Sequence, residues 1–428
     1  MSTIAREAVL EKAQDAPSPR RWWVTGLLSF GMVNAYFDRV ALTSAIPVMA
    51  GMIGLTDTQR GLALSAFFWT YTALQIPSGI LVDRFGVRAP YIIGYLVWSF
   101  ASAGTALSTG IAFLIGVRLI LGAGESVVTP SSMRYISLHF SEKERGKAVG
   151  IYMTGTKIGP ALGLPLAGYL IAFYSWQTMF LIMGLGGLVF LIPWMAWVKK
   201  DDIAALNREQ REALTPEARK ERIPLLKVLS SPVMWGVIIG TYCYMYFVYY
   251  CMTWMPDYLM RVYGMNIKES TAFSGASFGG MAVMIWVGGW AADFFIGRGH
   301  DPVNVRKLFT ILGFACAATQ TLSVFVDNVD AKLFFTAFAL CGLGLATANY
   351  WALTQTLIPG GSIAGVVGVQ NTAANLAGAT AAGVTGWLVD ITGSFDAPIQ
   401  FVGFWLLIGI AAYVFLVKPK YAPQGAAG

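Results

Sequence analysis

Charge is scarce in this sequence: 12% of its 428 residues are Asp, Glu, Lys or Arg, about half of the roughly 25% usual for a soluble globular chain. With 56% of the residues hydrophobic, a water-soluble globule is excluded. Histidine is scarcer still. The two present, His139 and His300, fall in or beside connections between apolar blocks, which gives no support to a metal site or an imidazole proton relay. The four cysteines, Cys243, Cys251, Cys316 and Cys341, lie inside apolar stretches without the spacing of a disulfide framework or zinc site, and read as small hydrophobes. No cofactor is called for, and for want of a catalytic constellation an enzyme is not expected. The segment before the first apolar block, with Arg6, Glu7, Glu11, Lys12 and Asp15, lacks the apolar core of a signal peptide, so that block is expected to remain in the mature protein.

What is present is apolar sequence in blocks of about 20 to 28 residues, the length a helix needs to cross a hydrocarbon layer about 30 Å thick. Twelve are counted, at 22–46, 60–82, 89–109, 111–138, 145–173, 177–198, 232–260, 271–297, 306–326, 332–357, 363–390 and 397–417. Barrel strands would read as alternating segments of about ten residues. The fold class expected is therefore an all-α membrane protein of twelve transmembrane helices. Lys and Arg alternate strongly between connections: 22 of the 30 fall on one side, including Arg20, Arg21, Lys143, Lys147, Lys199, Lys200 and Lys418, against Arg60, Arg261, Lys268 and Lys332 on the other. This bias places both termini in the cytoplasm and accounts for the net charge of +7 without nucleic acid. A multi-pass plasma-membrane protein is expected, in a bacterial inner membrane, with a monomer as its working unit.

The chain divides into a cytoplasmic tail at 1–21, a six-helix bundle at 22–198, a polar cytoplasmic linker at 199–230, a second six-helix bundle at 231–418 and a tail at 419–428. The halves repeat. GILVDRFGVR at 79–88 is matched by GGWAADFFIGR at 288–298, with Asp83 and Asp293 210 residues apart; the segment from Ala148 overlays that from Val366, setting Gly150 against Gly368 and Gly168 against Gly386. Two similar bundles rocking about a central site are a transporter's means of alternating access. Gly155, Gly159, Gly163 and Gly168 in the fifth block, with Gly368, Ala377, Ala381 and Gly386 in the eleventh, let backbones approach closely. They mark either a sliding seam between the halves, the reading favoured here, or tight packing alone.

The loop pattern Gly79, Asp83, Arg84, Gly86, Arg88, with its second copy around Asp293 and Arg298, resembles the signature of the major facilitator superfamily, and the resemblance covers essentially the whole chain. It implies a conformational latch of Asp83, Arg84, Arg88, Asp293 and Arg298 that ties the cytoplasmic ends of helices. A carboxylate and arginines at helix ends have the chemistry for it.

An ionised side chain at bilayer depth costs about 2.5 to 3.5 kcal/mol even on a lenient scale, and five stand out: Asp38, Arg39, Arg118, Glu125 and Lys157. All belong to the first half. Arg118 and Glu125 share a helix face about 10.5 Å apart, so something must lie between them, and Asp38 is the expected partner of Arg118. Tyr71 and Gln75 share another face. Three cations against two carboxylates leave an excess that an anionic solute relieves. Burial and neighbouring arginines pull a carboxylate's proton affinity in opposite directions, the setting proton coupling requires. The plain alternative is a permanent salt-bridge network that fixes helix packing. The second half supplies neutral groups: Tyr242, Tyr246, Tyr250, Ser274, Ser277, Tyr350, Trp351, Gln355, Asn371 and Asn375, suited to a hydroxylated acid.

NAYFDR (34–39), FFWTYTALQIPSG (67–79), RLILGAGE (118–125), GTKIGPALGLPLAG (155–168), TWMPDYL (253–259) and QNTAANLAG (370–378) sharpen the resemblance to the anion:cation symporter family, which includes bacterial importers of galactonate, glucarate, hexuronates and tartrate. The resemblance implies Asp38 and Glu125 as proton carriers, Arg39, Tyr71 and Asn371 as substrate ligands, and Arg118 as a partner of the carboxylates. Where some members carry glutamine or arginine near the fifth-helix position, this chain has Thr156 and Lys157. The expectation is proton-coupled uptake of a carboxylate-bearing organic anion, with Arg39, Tyr71, Gln75, Lys157, Trp351, Asn371 and Asn375 around it. The rivals are an organophosphate antiporter, a proton-driven drug exporter and a non-transporting membrane sensor.

Overall fold

The computed structural model describes residues 20–140, 142–198, 228–357 and 363–421. The tail before residue 20, nearly all of the linker and the chain beyond 421 lie outside the described residues. Among the described residues there is no strand, and twelve helical rods follow one another: α1 (Arg20–Ile53), α2 (Asp57–Phe85), α3 (Arg88–Gly104), α4 (Ile111–His139), α5 (Glu142–Phe173), α6 (Trp176–Trp197), α7 (Pro232–Tyr263), α8 (Ile267–Gly297), α9 (Pro302–Val324), α10 (Val329–Leu357), α11 (Ile363–Thr392) and α12 (Asp396–Phe415). Eight of them, α4 to α10 and α12, are long and apolar enough to cross a membrane on length and composition alone. The other four are the 17-residue α3 and the three helices α1, α2 and α11, whose interiors carry polar side chains of the candidate site.

Local chemistry sets the helix ends, and it sets them twice. Gly54 after α1 and Gly264 after α7 both take positive φ, 69° and 66°, the left-handed turn that glycine tolerates best. Two residues on, Thr56 starts α2 by accepting from the Gln59 N–H while Gln59 answers its backbone; Asn266 and Glu269 do the same for α8. These reciprocal caps satisfy orphan N–H groups at both starts. Each pair stands 210 residues apart, the interval that separates Asp83 from Asp293. The internal duplication is therefore built into the turns as well as the motifs, and α1–α6 and α7–α12 form two pseudo-symmetric six-helix halves.

Within the first half, Tyr91 and Tyr95 on one face of α3 stack with Phe190 and Trp194 of α6, with Tyr95 4.7 Å from Phe190 and Tyr91 4.2 Å from Trp194, and Trp98 lies against Tyr95 on the same face. This aromatic wedge fixes the rotation of α3, and α4 is then clamped on two sides through glycine. A side chain at Gly122 would strike the Phe67 carbonyl of α2, and one at Gly124 would lie 2.7 Å from the Trp98 nitrogen of α3. Backbone contact this close is the helix-packing mode membranes favour, and it leaves Glu125 in the middle of the half.

The halves meet along α2 with α11 and α5 with α8. At Gly61 a Cβ would stand 2.7 Å from the Ala382 carbonyl, at Gly378 2.5 Å from Phe68, and at Gly275 2.6 Å from Pro165. The seam expected of α11 is thus borne by Gly378 and Gly386. In α5 the expectation is corrected: Gly155, Gly159 and Gly163 pack on α1 of the same half, against Met32, Tyr36 and Phe37, and Gly168, beside Thr271 of α8, is the one of those four that borders the other half. The reason is that α5 has two partners, and its glycines in the first two-thirds of the seam sequence serve the inner one.

Candidate functional site

Four of the five intramembrane charges gather between α1, α3 and α4. Glu125 is wholly buried and receives Nε and Nη2 of Arg39, each at 2.9 Å from the single oxygen Oε2, a charge-assisted contact stronger than a neutral hydrogen bond. The Arg39 guanidinium also lies 4.7 Å from the rings of Tyr36, Phe67 and Tyr71, an aromatic cage suited to a cation. The other carboxylate oxygen, Oε1, is buried without a hydrogen-bond partner among the described residues. Immediately after Glu125, at Ser126 and Val127, α4 keeps right-handed helical backbone angles and continues at Val128.

Asp38 is buried one residue away. Its Oδ1 accepts from the hydroxyl of Ser102 on α3, and its backbone carbonyl accepts from Arg118 Nη1 at 3.4 Å. The expected partnership of Asp38 and Arg118 therefore runs through the main chain, and the group between Arg118 and Glu125 is the Phe67–Arg39 stack, with Arg118 5.5 Å from the same Phe67 ring. Asn34 donates to Tyr95 at 2.8 Å.

Lys157 stands apart. It is half-buried, with no hydrogen bond or ion pair among the described residues. It shares the helical stripe of Ala161, Pro165 and Gly168, the stripe that meets Gly275 and Thr271 of α8, and lies one turn past the last of those contacts. The cationic excess counted from the sequence is thereby localised: Arg39 is matched by Glu125, Arg118 neighbours Asp38, and the unmatched charge is Lys157.

Tyr71 is buried, stacked on Phe67 and 3.4 Å from the Thr129 hydroxyl; Gln75, one turn on, has a buried amide nitrogen without a partner among the described residues. In the second half, half-buried Trp351 stacks on Tyr350 at 5.1 Å, and Asn375 donates to the Asn371 carbonyl at 2.8 Å. Tyr242 bonds Thr380, Ser274 and Ser277 turn their hydroxyls to carbonyls of their own helix, and Gln355 is exposed. Gln370, beside Asn371, bridges Thr241 of α7 and Thr354 of α10.

At the Lys/Arg-rich face the signature residues bond inside their own halves. Asp83 lies 3.5 Å from Arg134 and Asp293 3.4 Å from Arg306; Arg88 donates to the Met195 carbonyl, and Arg84 and Arg298 lie over Phe85 and Phe294. At the opposite face, charges cross between halves. Arg261 of α7 pairs with Asp57 of α2 and with Asp257, while Arg60 of α2 lies 3.2 Å from Asp257 and 3.3 Å from Asp57. Thr58 also bonds Asp390 of α11 at 2.5 Å. Two arginines and two aspartates close a ring across the seam, which is shut at this face. Near the other ends of α5 and α11, Gly150 and Gly368 have nothing within 4 Å of where a Cβ would stand.

The sequence reading missed Ser102, Phe67 and the four-charge ring. Asp257 lies within the quoted TWMPDYL, yet its partner is 197 positions away, and no local pattern joins them.

Comparison with known proteins brings these features together. The family model described as Major Facilitator Superfamily matches residues 28–382. An uncharacterised transporter of Bacillus subtilis (strain 168) is 31% identical, covering 94% of this chain and 95% of its own length. A probable L-galactonate transporter of Escherichia coli (strain K12) is 28% identical over 92% and 88%, and a D-galactonate transporter of Escherichia coli O6:H1 is 27% identical over 94% and 96%. In fold, the chain is similar to the crystal structure of a bacterial homologue of the human lysosomal transporter Spinster, in an inward-facing and occupied conformation, with a TM-score of 0.78 at 16% identity over 96% of this chain and 100% of that one.

Proposed function

Because the chain belongs to the Major Facilitator Superfamily and is a transporter with sugar-acid and anion transporters among its relatives, we propose that it is a proton-coupled symporter importing a carboxylate-bearing organic anion of the sugar-acid type. The observation that carries this reading is the buried Arg39–Glu125 pair, with Lys157 on α5 of the same half unmatched among the described residues. In the empty carrier Arg39 is occupied by Glu125. A proton on Glu125 removes the competing charge, and the guanidinium, still held by its aromatic cage, turns to the solute carboxylate in bidentate fashion. Lys157 adds a point charge from α5, and Tyr71, Gln75, Trp351, Asn371 and Asn375 surround the hydroxyls with donors and acceptors. Asp38, with Arg118 at its backbone, carries the second exchangeable proton.

The seam closed by Asp57, Arg60, Asp257 and Arg261 supports a carrier open toward the Lys/Arg-rich side. That side is cytoplasmic by the charge rule, with both termini there. Asp83–Arg134 and Asp293–Arg306 then hold the rods of each half together as latches at that face while it is open. A monomer has all these parts.

The test is uptake into proteoliposomes of a panel of sugar acids, aromatic acids and dicarboxylates under an inward proton gradient. Gradient-dependent uptake of a sugar acid, lost in Glu125→Gln and Asp38→Asn, supports the reading; unchanged gradient dependence in both variants sinks it. Solute exchange with no effect of an imposed proton gradient would favour an antiporter.

A further inference from the structure

Among the buried hydroxyls of the first half, Ser78 pairs with Ser126 across helices and Ser102 with a carboxylate. Several others in the molecule give their hydrogen to the carbonyl one turn back in their own helix: Ser44 to Val40, Thr105 to Ala101, Ser132 to Val128, Thr253 to Tyr249 and Ser274 to Ser270. That is the default for a serine in an apolar helix. Ser102, wholly buried on α3, donates across to Oδ1 of Asp38 on α1, although the Trp98 carbonyl stands one turn back. A hydroxyl has one hydrogen to give, and in this arrangement the Asp38 oxygen that accepts it is not the one carrying a proton.

The placement of Ser102 is fixed from below. Tyr91, Tyr95, Trp98 and Ser102 follow one another at helical spacing on one face of α3; Tyr91 and Tyr95 are packed into the α6 aromatics and Trp98 lies against Tyr95. The titratable and charged groups facing Asp38 are Glu125 and Arg118 from α4 and Tyr95 from α3, its chain neighbour Arg39 is turned to Glu125, and the Trp98 side chain is a second donor beside its carboxyl. Arg39 is committed to Glu125 and Arg118 reaches the backbone, and Tyr95 is engaged by Asn34.

We propose that Ser102 is a positioning residue for proton coupling, a two-position hydroxyl that holds Asp38 in its ionised form and swings to the Trp98 carbonyl when Asp38 takes a proton. The proposal rests on the reading of Asp38 as a proton carrier. It gives α3 a part in coupling: the proton on Asp38 makes or breaks a link between α1 and α3.

The test needs no solute. Infrared spectra of the purified protein in lipid bilayers, titrated with pH, show the carboxylic-acid band of Asp38, assigned by its loss in Asp38→Asn. Ser102→Ala should move the titration of that band toward alkaline pH by about one unit, the scale of one hydrogen bond to a charged group. Ser102→Cys, close in volume but a weaker donor, should move it the same way, and Ser102→Thr should restore it. Alanine and cysteine variants that titrate with the wild type would overturn the proposal. A wild-type Asp38 band that does not titrate at all would overturn the proton role of Asp38, and the Ser102 proposal with it.

Discussion

On the proposed reading, Glu125 and a solute carboxylate contend for the charge of Arg39. That competition is the chemistry on which coupling would turn. Glu125→Gln removes the competitor permanently, so the variant should bind and exchange solute while losing accumulation driven by a proton gradient; counterflow and gradient-driven uptake measured side by side check this. Arg39→Lys keeps the charge but loses the bidentate geometry and ring stacking, with an expected rise in KM of about tenfold or more, the scale of one charge-assisted hydrogen bond. At this scale the sequence was informative about charge and weak about direction. Asp38, Arg39, Arg118 and Glu125 stand out because ionised groups in apolar blocks are costly. Which oxygen meets which nitrogen depends on helix rotation, set by the stack of Tyr91 and Tyr95 on α6, so Arg118 meeting the backbone of Asp38 was not readable.

Among the helices, the glycines of α4 and α11 decide what can approach what. Gly386 lies against the Asp57 carbonyl and 3.0 Å from Gly61 by its would-be Cβ, where no flexible side chain stands ready to yield. Gly386→Leu should therefore wedge α11 away from α2 and keep that face from closing. Labelling of a cysteine introduced at Thr58 should become faster in this variant, and an unchanged labelling rate would contradict the seam. Gly124→Leu acts inside one half, pushing α4 off Trp98, and should lower the melting temperature measured in detergent. The spans were legible from apolar run length; the reciprocal caps at Thr56 and Asn266 emerged only with the structure. The partner of each small-residue stripe was not legible, because Gly155, Gly159 and Gly163 have the same spacing whether they face α1 or α8.

For the molecule as a whole, the ring of Asp57, Arg60, Asp257 and Arg261 supplies the ion pairs that, among the described residues, tie half to half at the shut face. Asp257 is buried there, and a buried ion left without its partner is strongly destabilising. Arg60→Ala and Arg261→Ala should thus shift the population toward the state open at that face, read as a larger distance between spin labels on the α1–α2 and α11–α12 turns, and the double variant should exceed either alone. Twofold architecture was legible because the duplication repeats at 210 residues. The ring was not: its members are far apart in sequence, and in the charge count Arg60 and Arg261 were only the sparse cations of one side.

Lys157 gives the empty carrier a further property. A cation near the middle of the apolar span of α5, without a counter-ion among the described residues, is expected to feel the transmembrane electric field, worth about 2.3 kcal/mol per elementary charge per 100 mV across the full thickness. When the unloaded halves rock, the water-filled approach to that cation passes from one compartment to the other, and part of the field is traversed. The return stroke should consequently be electrogenic and hastened or slowed by voltage, whereas a bound anion would cancel it. Capacitive transients on solid-supported membranes should show this charge displacement in the wild type and lose it in Lys157→Gln, making the resting voltage of the cell a regulator of how quickly the carrier resets.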